Sequence, residues 1–442
     1  MRILRKIFRF TLWPFRFWRL ALAGALLLAA AQVIADQVLL RGLAAQAEQI
    51  RREGRPVSFA DLKLPEYTTI DNAHAVYEQV FDMIKNARDE AAWEPHSLLS
   101  ARYVPTNPEV PRTNDDPLSE EERTRLCVYL QKVQPASDLL RTSRDCHVCI
   151  IPDVWGEINA IGGDGKEHAF VLPSLSRMRQ LARLAAAKGL WECQQGNMDG
   201  GFDWFALGLN IANNHKAFPT LLGALNRISC MATVFGAVQT ALYEGDIPAA
   251  LPTSFAAEMR ECLSRDVYSR TFECERLYSN EMSVRMGFRA WRVARPIYSL
   301  NQLKINESYL QLSDIFRNGD FPAQEAKLRE LQEWSDNASG IHMMTKILVP
   351  AVLRSVESMR RIMVSSGMCE TAIKLKLYRQ KNGAYPESLS ELAQPLPADP
   401  FSGRDFQYKR EGEGFRLISA GKKVVVEGKK KVETSFAWCA VR

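Results

Sequence analysis

Hydrophobic and polar positions follow three different rhythms along this chain. At the start they do not alternate: Leu20 to Ala35 (LALAGALLLAAAQVIA) is apolar but for Gln32, and a basic stretch with Phe8, Phe10, Trp13, Phe15, Phe17 and Trp18 precedes it. Sixteen helical residues rise about 24 Å, short of the ~30 Å hydrocarbon core of a bilayer. Trp18 on one side and Val38-Leu39-Leu40 beyond Asp36 on the other would extend the run. Arg2, Arg5, Lys6, Arg9, Arg16 and Arg19, with no acid among them, place the N-terminus in the cytoplasm by the positive-inside rule. Ala29-Ala30-Ala31 and Val33-Ile34-Ala35 are small-residue patterns that suit signal peptidase. Two readings follow. The segment is a retained single-pass anchor of a bacterial inner membrane, touching lipid through residues 15–40, or a cleaved signal that releases the chain. Both put the rest of the protein in the periplasm.

The middle of the chain has a helical rhythm. A short helical stretch (LAAQAEQIRREG) stops at Gly54 and Pro56 and gives way to a linker with Pro65. A helix then starts at Asp71, its expected cap, with Ala75, Val76, Val80, Met83 and Ile84 on one face. Prolines 95, 105, 108, 111 and 117 mark a loop, and a helix over Ser119 to Leu140 opens with a Ser119/Glu122 capping box. Glycine-rich residues 150–172 read as loop, since Gly162-Gly163-Asp164-Gly165 lacks the spacing of a phosphate loop. From Pro173 to about Trp334 helix follows helix, and the nearly all-apolar Leu221 to Tyr243 is expected at the centre. Gly245-Asp246-Ile247-Pro248-Ala249 and Gly319-Asp320-Phe321-Pro322-Ala323 read as paired punctuation, glycine ending one helix and Asp-x-Pro opening the next.

The last hundred residues change rhythm again. A long helix over Ile347 to Gly383 precedes a short helix at Glu387 to Leu392 and the turn Leu396 to Gly403. Strands with period two follow at Phe406 to Arg410 and Phe415 to Ser419, and a second hairpin is expected around Gly428 from Val424 to Glu427 and Val432 to Trp438. The fold class is therefore mainly α: an N-terminal membrane helix, an irregular helical bundle or α-solenoid-like body, and a small C-terminal α+β module. The expected divisions are 1–41, 42–172, 173–340 and 341–442.

Charge alters the picture once. Lys and Arg number 57 against 51 Asp and Glu, and the six bases before Leu20 supply the whole excess. A nucleic-acid-binding face would need that excess on the folded body. Arg285, Arg289, Arg292 and Arg295 recur along one helical side, a candidate clamp for acidic lipid headgroups or an acidic partner, or else a solvated face paired with Glu273, Glu275 and Glu281. The chain has nine cysteines, of which Cys146-His147-Val148-Cys149 is the one close pair. It lacks the following His of a haem site and a second pair for zinc, so a local disulfide or two packed thiols is expected. No residue is assigned a catalytic, cofactor-binding or metal role. The leading function class is a non-enzymatic envelope scaffold or partner-binding protein. The alternatives are an extracytoplasmic hydrolase using Asp203, His215 or the Glu273/Glu275/Glu281 group, and an apolar-ligand-binding protein with a pocket lined from Leu221 to Tyr243.

Over roughly Val349 to Gly421 the chain resembles the major pseudopilin of type II secretion systems. Pro350, Leu377-Tyr378, Asn382-Gly383, Tyr385-Pro386, Leu396-Pro397, Asp399-Pro400, Gly403, Tyr408 and Ser419-Ala420-Gly421 carry the likeness. Over most of its length it looks like bacterial membrane-anchored envelope proteins that bear such a tail, several with a helix start like Asp71-Asn72-Ala73-His74-Ala75-Val76-Tyr77. The likeness implies a long helix on an antiparallel sheet in the cell envelope. It departs where the pseudopilin has an acidic calcium loop, because Lys422-Lys423-Val424 stands there. The tail is thus expected to fold without metal, with Asp399 capping a backbone amide.

Overall fold

The computed structural model describes residues 2–62, 71–91, 120–150, 167–217, 219–245, 247–248, 251–285, 294–318, 321–393, 395–427 and 430–440, with backbone alone for 2–17, 60, 87–91, 122, 167–174, 217, 244, 282–285, 321, 323 and 422–440. Twelve α-helices are described: α1 (Arg2–Arg52), α2 (His74–Ala91), α3 (Glu120–Lys132), α4 (Gln134–Arg141), α5 (Glu167–Gln194), α6 (Met198–Asn213), α7 (Leu221–Glu244), α8 (Thr253–Cys262), α9 (Arg265–Arg285), α10 (Arg295–Asn318), α11 (Phe321–Asn337) and α12 (Met343–Asn382). Strands β1 (Gln407–Glu411), β2 (Gly414–Glu427) and β3 (Lys430–Ala440) form an antiparallel meander in the order β1-β2-β3. The chain is mostly helical with an apolar helix at its N-terminus and a small C-terminal sheet.

Residues 1–41 and 42–53 are not separate pieces. The apolar run and the following LAAQAEQIRR stretch form one helix of 51 residues, because nothing between Asp36 and Arg52 favours a stop over helix propagation. It ends at Gly54, whose φ of +70° suits a residue without Cβ. After it, Ser58 caps a single 3-10 turn whose third residue, Asp61, accepts from the amides of Val57 (2.9 Å) and Ser58 (2.8 Å). The end of α12 repeats this arrangement. Gly383 takes φ +80°, Pro386 follows, and Ser388 opens a 3-10 turn whose Glu391 accepts from the amides of Glu387 (2.9 Å) and Ser388 (3.0 Å). The helix stop Gly…Pro-x-Ser-x-x-acid-Leu therefore occurs twice.

Several expected boundaries move. The helix over Ser119 to Leu140 is two helices that break at Val133, where Pro135 enters the first turn of α4 and lacks the amide that a continuous ladder would need. Ser119 and the Glu122 side chain lie outside the described residues, as does the glycine-rich stretch before Glu167. Helix α5 begins at Glu167, upstream of the expected Pro173. The cap of α2 is Asn72 rather than Asp71: Asn72 Oδ1 accepts from His74 N at 3.2 Å. The two Gly-Asp-x-Pro-Ala segments also differ. Gly245 ends α7, yet α8 starts only at Thr253, whereas α11 starts at Phe321 with Pro322 in its first turn.

One contiguous core runs through the described body. It joins Tyr77, Leu140, Leu181, Phe205, Val234 and Phe272 to Met359, Cys369, Phe406, Phe415 and Leu417. Helix α12 belongs to both the body and the sheet: Lys376 Nζ donates to Gly245 O (3.0 Å) and Gln380 Nε2 to Ile247 O (2.8 Å), while Phe406 lies against Gly367. The division drawn at residue 340 thus crosses a packed interface. The second hairpin has β2 running unbroken from Gly414 into it, with a register shift between Ile418 and Lys422.

At that shift the chain is tied by Asp399, which is 1% exposed. Its Oδ1 accepts from Phe401 N (3.0 Å) and Ser419 Oγ (2.9 Å), and its Oδ2 accepts from Ala420 N (2.7 Å). Both oxygens are occupied by donors, so the carboxylate holds the turn and leaves little lone-pair capacity for a cation. Gly421 sits where a Cβ would overlap the Phe401 ring. Asp399→Ala strands two backbone amides and a hydroxyl in the interior and is expected to destabilise the chain by about 3 kcal/mol. Chemical denaturation of the detergent-solubilised protein checks this, and a loss below about 1 kcal/mol would show that water replaces the carboxylate.

Candidate functional site

The acid–base candidates read from the sequence do not meet. Asp203 pairs with Arg144 (2.8 Å), which also reaches Ser254 Oγ. His215 is 4% exposed and shares a hydrogen bond with Asn226 Nδ2 (2.8 Å). Burial, then the charges of Arg227 and Arg179, push its pKa down to about 3, so the ring is neutral and shielded near pH 7. Glu273 and Glu275 lie two apart on α9 and project to different sides, as a 100° helical step requires. Glu275 accepts from Leu221 N (2.6 Å) and caps the first turn of α7. Burial raises its pKa.

A polar layer crosses the core beside His215. Asn213 Nδ2 donates to Glu258 Oε2 (2.6 Å), Asn210 Nδ2 donates to Cys146 O (3.1 Å), and Asn214 Nδ2 donates to the Tyr77 hydroxyl (3.0 Å). Arg227, 1% exposed, donates to Asn213 Oδ1 (2.9 Å) and Glu261 O (2.8 Å) and lies over the Tyr268 ring at 5.4 Å. These bonds join α6, α7, α8 and the segment after α4 as a structural network, although Arg227 Nε and Nη1 and the Tyr268 hydroxyl stay buried without a hydrogen-bond partner among the described residues. Cys146 and Cys149 are packed thiols, and burial raises that of Cys149 to about 12, far from a reactive thiolate. Asn72 holds this segment by donating to Ile150 O (2.8 Å) and accepting from Ile150 N (2.9 Å). Among the described residues no group of three or more metal-ligating side chains comes together.

Of the arginine series, Arg289 and Arg292 and the side chain of Arg285 lie outside the described residues. Arg295 is engaged within the chain, and its partner is not one of the α9 glutamates. Its Nε donates to Asp36 Oδ1 (2.6 Å) and its Nη2 pairs with Asp36 Oδ2, a bidentate contact with a carboxylate 5% exposed. This is the first of three latches between α1 and α10. In the second, Gln46 Nε2 donates to Leu303 O (3.1 Å) and Gln46 Oε1 accepts from Asn306 Nδ2 (2.9 Å). In the third, Arg55 pairs with Asp314 and donates to Glu273 Oε1 (3.2 Å). Arg276 holds the other Glu273 oxygen (3.1 Å) and also binds Pro56 O. Positions 36, 46 and 55 meet 295, 303 to 306 and 314 in order, so the two helices run parallel.

The same structure leaves the preceding part of α1 bare. Leu20, Leu22, Leu26, Leu27, Leu28, Val33 and Ile34 are exposed, and the stretch from Trp18 is long and apolar enough to cross a membrane. Helix α7 meets the same length and apolarity, but most of it is buried in the body. A described apolar recess with room for about one water molecule is lined by α10 and α12 through Ile305, Tyr309, Leu312, Leu348 and Val352, not by α7. It is far smaller than ordinary ligand pockets, which start near 300 Å³. The most specific arrangement in the molecule is thus the junction between the apolar helix and the body.

Family models, curated proteins and solved structures compared with this chain give no match.

The third latch is the buried one, since Glu273 is 4% and the Arg276 side chain 2% exposed. Removing the carboxylate leaves the buried Arg276 without its counter-charge beside Arg55, which keeps Asp314. Glu273→Ala is expected to cost about 3 to 5 kcal/mol in denaturant titrations. Glu48→Ala, which breaks only exposed pairs with Arg51 and Arg52, should cost under about 1 kcal/mol. Equal small losses for both would show that the latch contributes no more than a surface pair.

Proposed function

We propose that this chain is a retained, single-pass envelope protein of the bacterial inner membrane, N-terminus in the cytoplasm and body in the periplasm. In this reading it works as a non-enzymatic scaffold held against the bilayer. The observation that carries it is the continuity of α1 from bare apolar helix to latched helix. Trp18 to Ala35 rises about 27 Å, close to the ~30 Å core, and Asp36 then meets Arg295. Pairing removes the free charge that would otherwise end the run, so Val38-Leu39-Leu40 can complete the span. The small-residue patterns at Ala29 to Ala35 lie inside this helix, whereas a signal peptidase takes its substrate extended.

The scaffold reading is supported by the fate of Asp203, His215, Glu273 and Glu275, each of which is engaged by another group of the chain. The C-terminal module, a long helix on an antiparallel sheet knotted at Asp399, is what a pseudopilin-like docking head would look like. Its exposed sheet surface is the part offered to a partner in this account.

A reporter joined after Val38 should be exported, and the full chain should stay in the membrane fraction after alkaline carbonate washing with its N-terminal segment intact. A mature chain beginning at Gln32 or Asp36 would refute retention. Activity confined to a cytoplasm-specific reporter would refute the location.

A further inference from the structure

Apart from α1, seven large apolar side chains are exposed among the described residues, and four of them share one end of the body. Ile297 is on the first turn of α10, Ile341 is just ahead of α12, and Met343 and Ile347 are on the first turns of α12. Met343 and Ile347 are the most open of the seven, at 63% and 67%. Single exposed apolar residues are ordinary, but a cluster is not.

Hydrogen bonds fix where this cluster lies. Asn301 Nδ2 donates to Ile341 O (2.7 Å), and Asn301 Oδ1 accepts from Thr345 N (3.2 Å), so the start of α12 rests against the second turn of α10. Further along, Ile305, Tyr309 and Leu312 of α10 line one recess with Leu348, Val349 and Val352 of α12, which with the Asn301 bonds makes α12 parallel to α10 as α1 is. The first residue of α10, Arg295, is bonded to Asp36. All four side chains therefore lie at the end of the body where the apolar part of α1 leaves it.

We infer that the tips of α10 and α12 form a second membrane contact, with Ile297, Ile341, Met343 and Ile347 seated in the lipid interface beside α1. The inference rests on reading α1 as a membrane anchor. Its occupant is the bilayer that α1 already enters, and the patch lies at the end of the body where α1 carries the exposed Val38 next to the Asp36–Arg295 pair. The dimensions agree: Trp18 to Val38 rises about 31 Å, which places the hydrocarbon edge level with the start of α10. The headgroup layer adds roughly 5 to 7 Å on that side, a depth that takes in the first turns of both helices. Lys346, exposed between Met343 and Ile347, brings a positive charge to the same level, and the N-terminal ends of α10 and α12 turn their positive dipole ends toward lipid phosphates.

The test places a photoreactive diazirine amino acid at Met343, Ile347, Leu27 or Val128 of the full chain. The host is vesicles of phosphatidylethanolamine and phosphatidylglycerol, and mass spectrometry reads the adducts. Lipid adducts at 343 and 347 are expected at least about tenfold above those at 128, as for an interfacial apolar face. Labelling at 27 but only background at 343 and 347 would overturn this inference and leave the anchor standing. Background at 27 as well would overturn the anchor reading itself. Protein adducts in place of lipid at 343 and 347 would show that a protein covers the patch, and would also overturn it.

Discussion

Glu273 sits in the body with Arg276 on one of its oxygens and Arg55 on the other, directly under the turn that ends α1. A carboxylate 4% exposed is costly to bury unless cations meet it. The two cations come from different parts of the chain, one from α9 and one from just beyond α1. Their shared carboxylate joins the two parts, and the same bonds fix the end of the N-terminal helix. From that point α1 has no freedom to swing: its next contacts at Gln46 and Asp36 follow from the parallel course of α10.

This arrangement turns an apolar helix into a strut. A span followed by a glycine-rich or proline-rich linker would leave its body free to diffuse at the end of a tether. Here the bare apolar helix is the same element that packs on α10, so in the proposed reading bilayer and body share one axis. The turn at Gly54 to Leu62 comes after the docking contacts, not between membrane and body. The matching stop at Gly383 to Leu392 ends the other helix that flanks α10. Both long helices thus finish in the same way at the end of the body away from the exposed apolar tips.

Local features were legible in the sequence, and distant partners were not. The apolar block, the left-handed Gly383, the capping role of Asp399 and the buried Leu221 to Tyr243 helix follow from rules that act within a few residues. The break at Val133 was missed because the hydrophobic pattern continues across it, although Pro135 marked it. The repeated helix stop was also there to be read, in Pro56-Val57-Ser58-Phe59-Ala60-Asp61-Leu62 and Pro386-Glu387-Ser388-Leu389-Ser390-Glu391-Leu392. Arg295 was paired by proximity with the glutamates of α9, but its partner Asp36 lies 259 residues away in the chain. Asp36 itself looked like the end of the apolar run. No local pattern reveals that a charge is matched from another helix, and the junction is built from just such pairs.

Hydrogen exchange of the full chain in lipid vesicles tests most directly whether α1 is a strut. The amides of residues 43 to 52, beyond the bilayer, should exchange in the same slow class as those of α10 from Tyr309 to Phe316, because both open only when the core does. Exchange of that segment orders of magnitude faster than α10 would show a frayed tether and contradict the account.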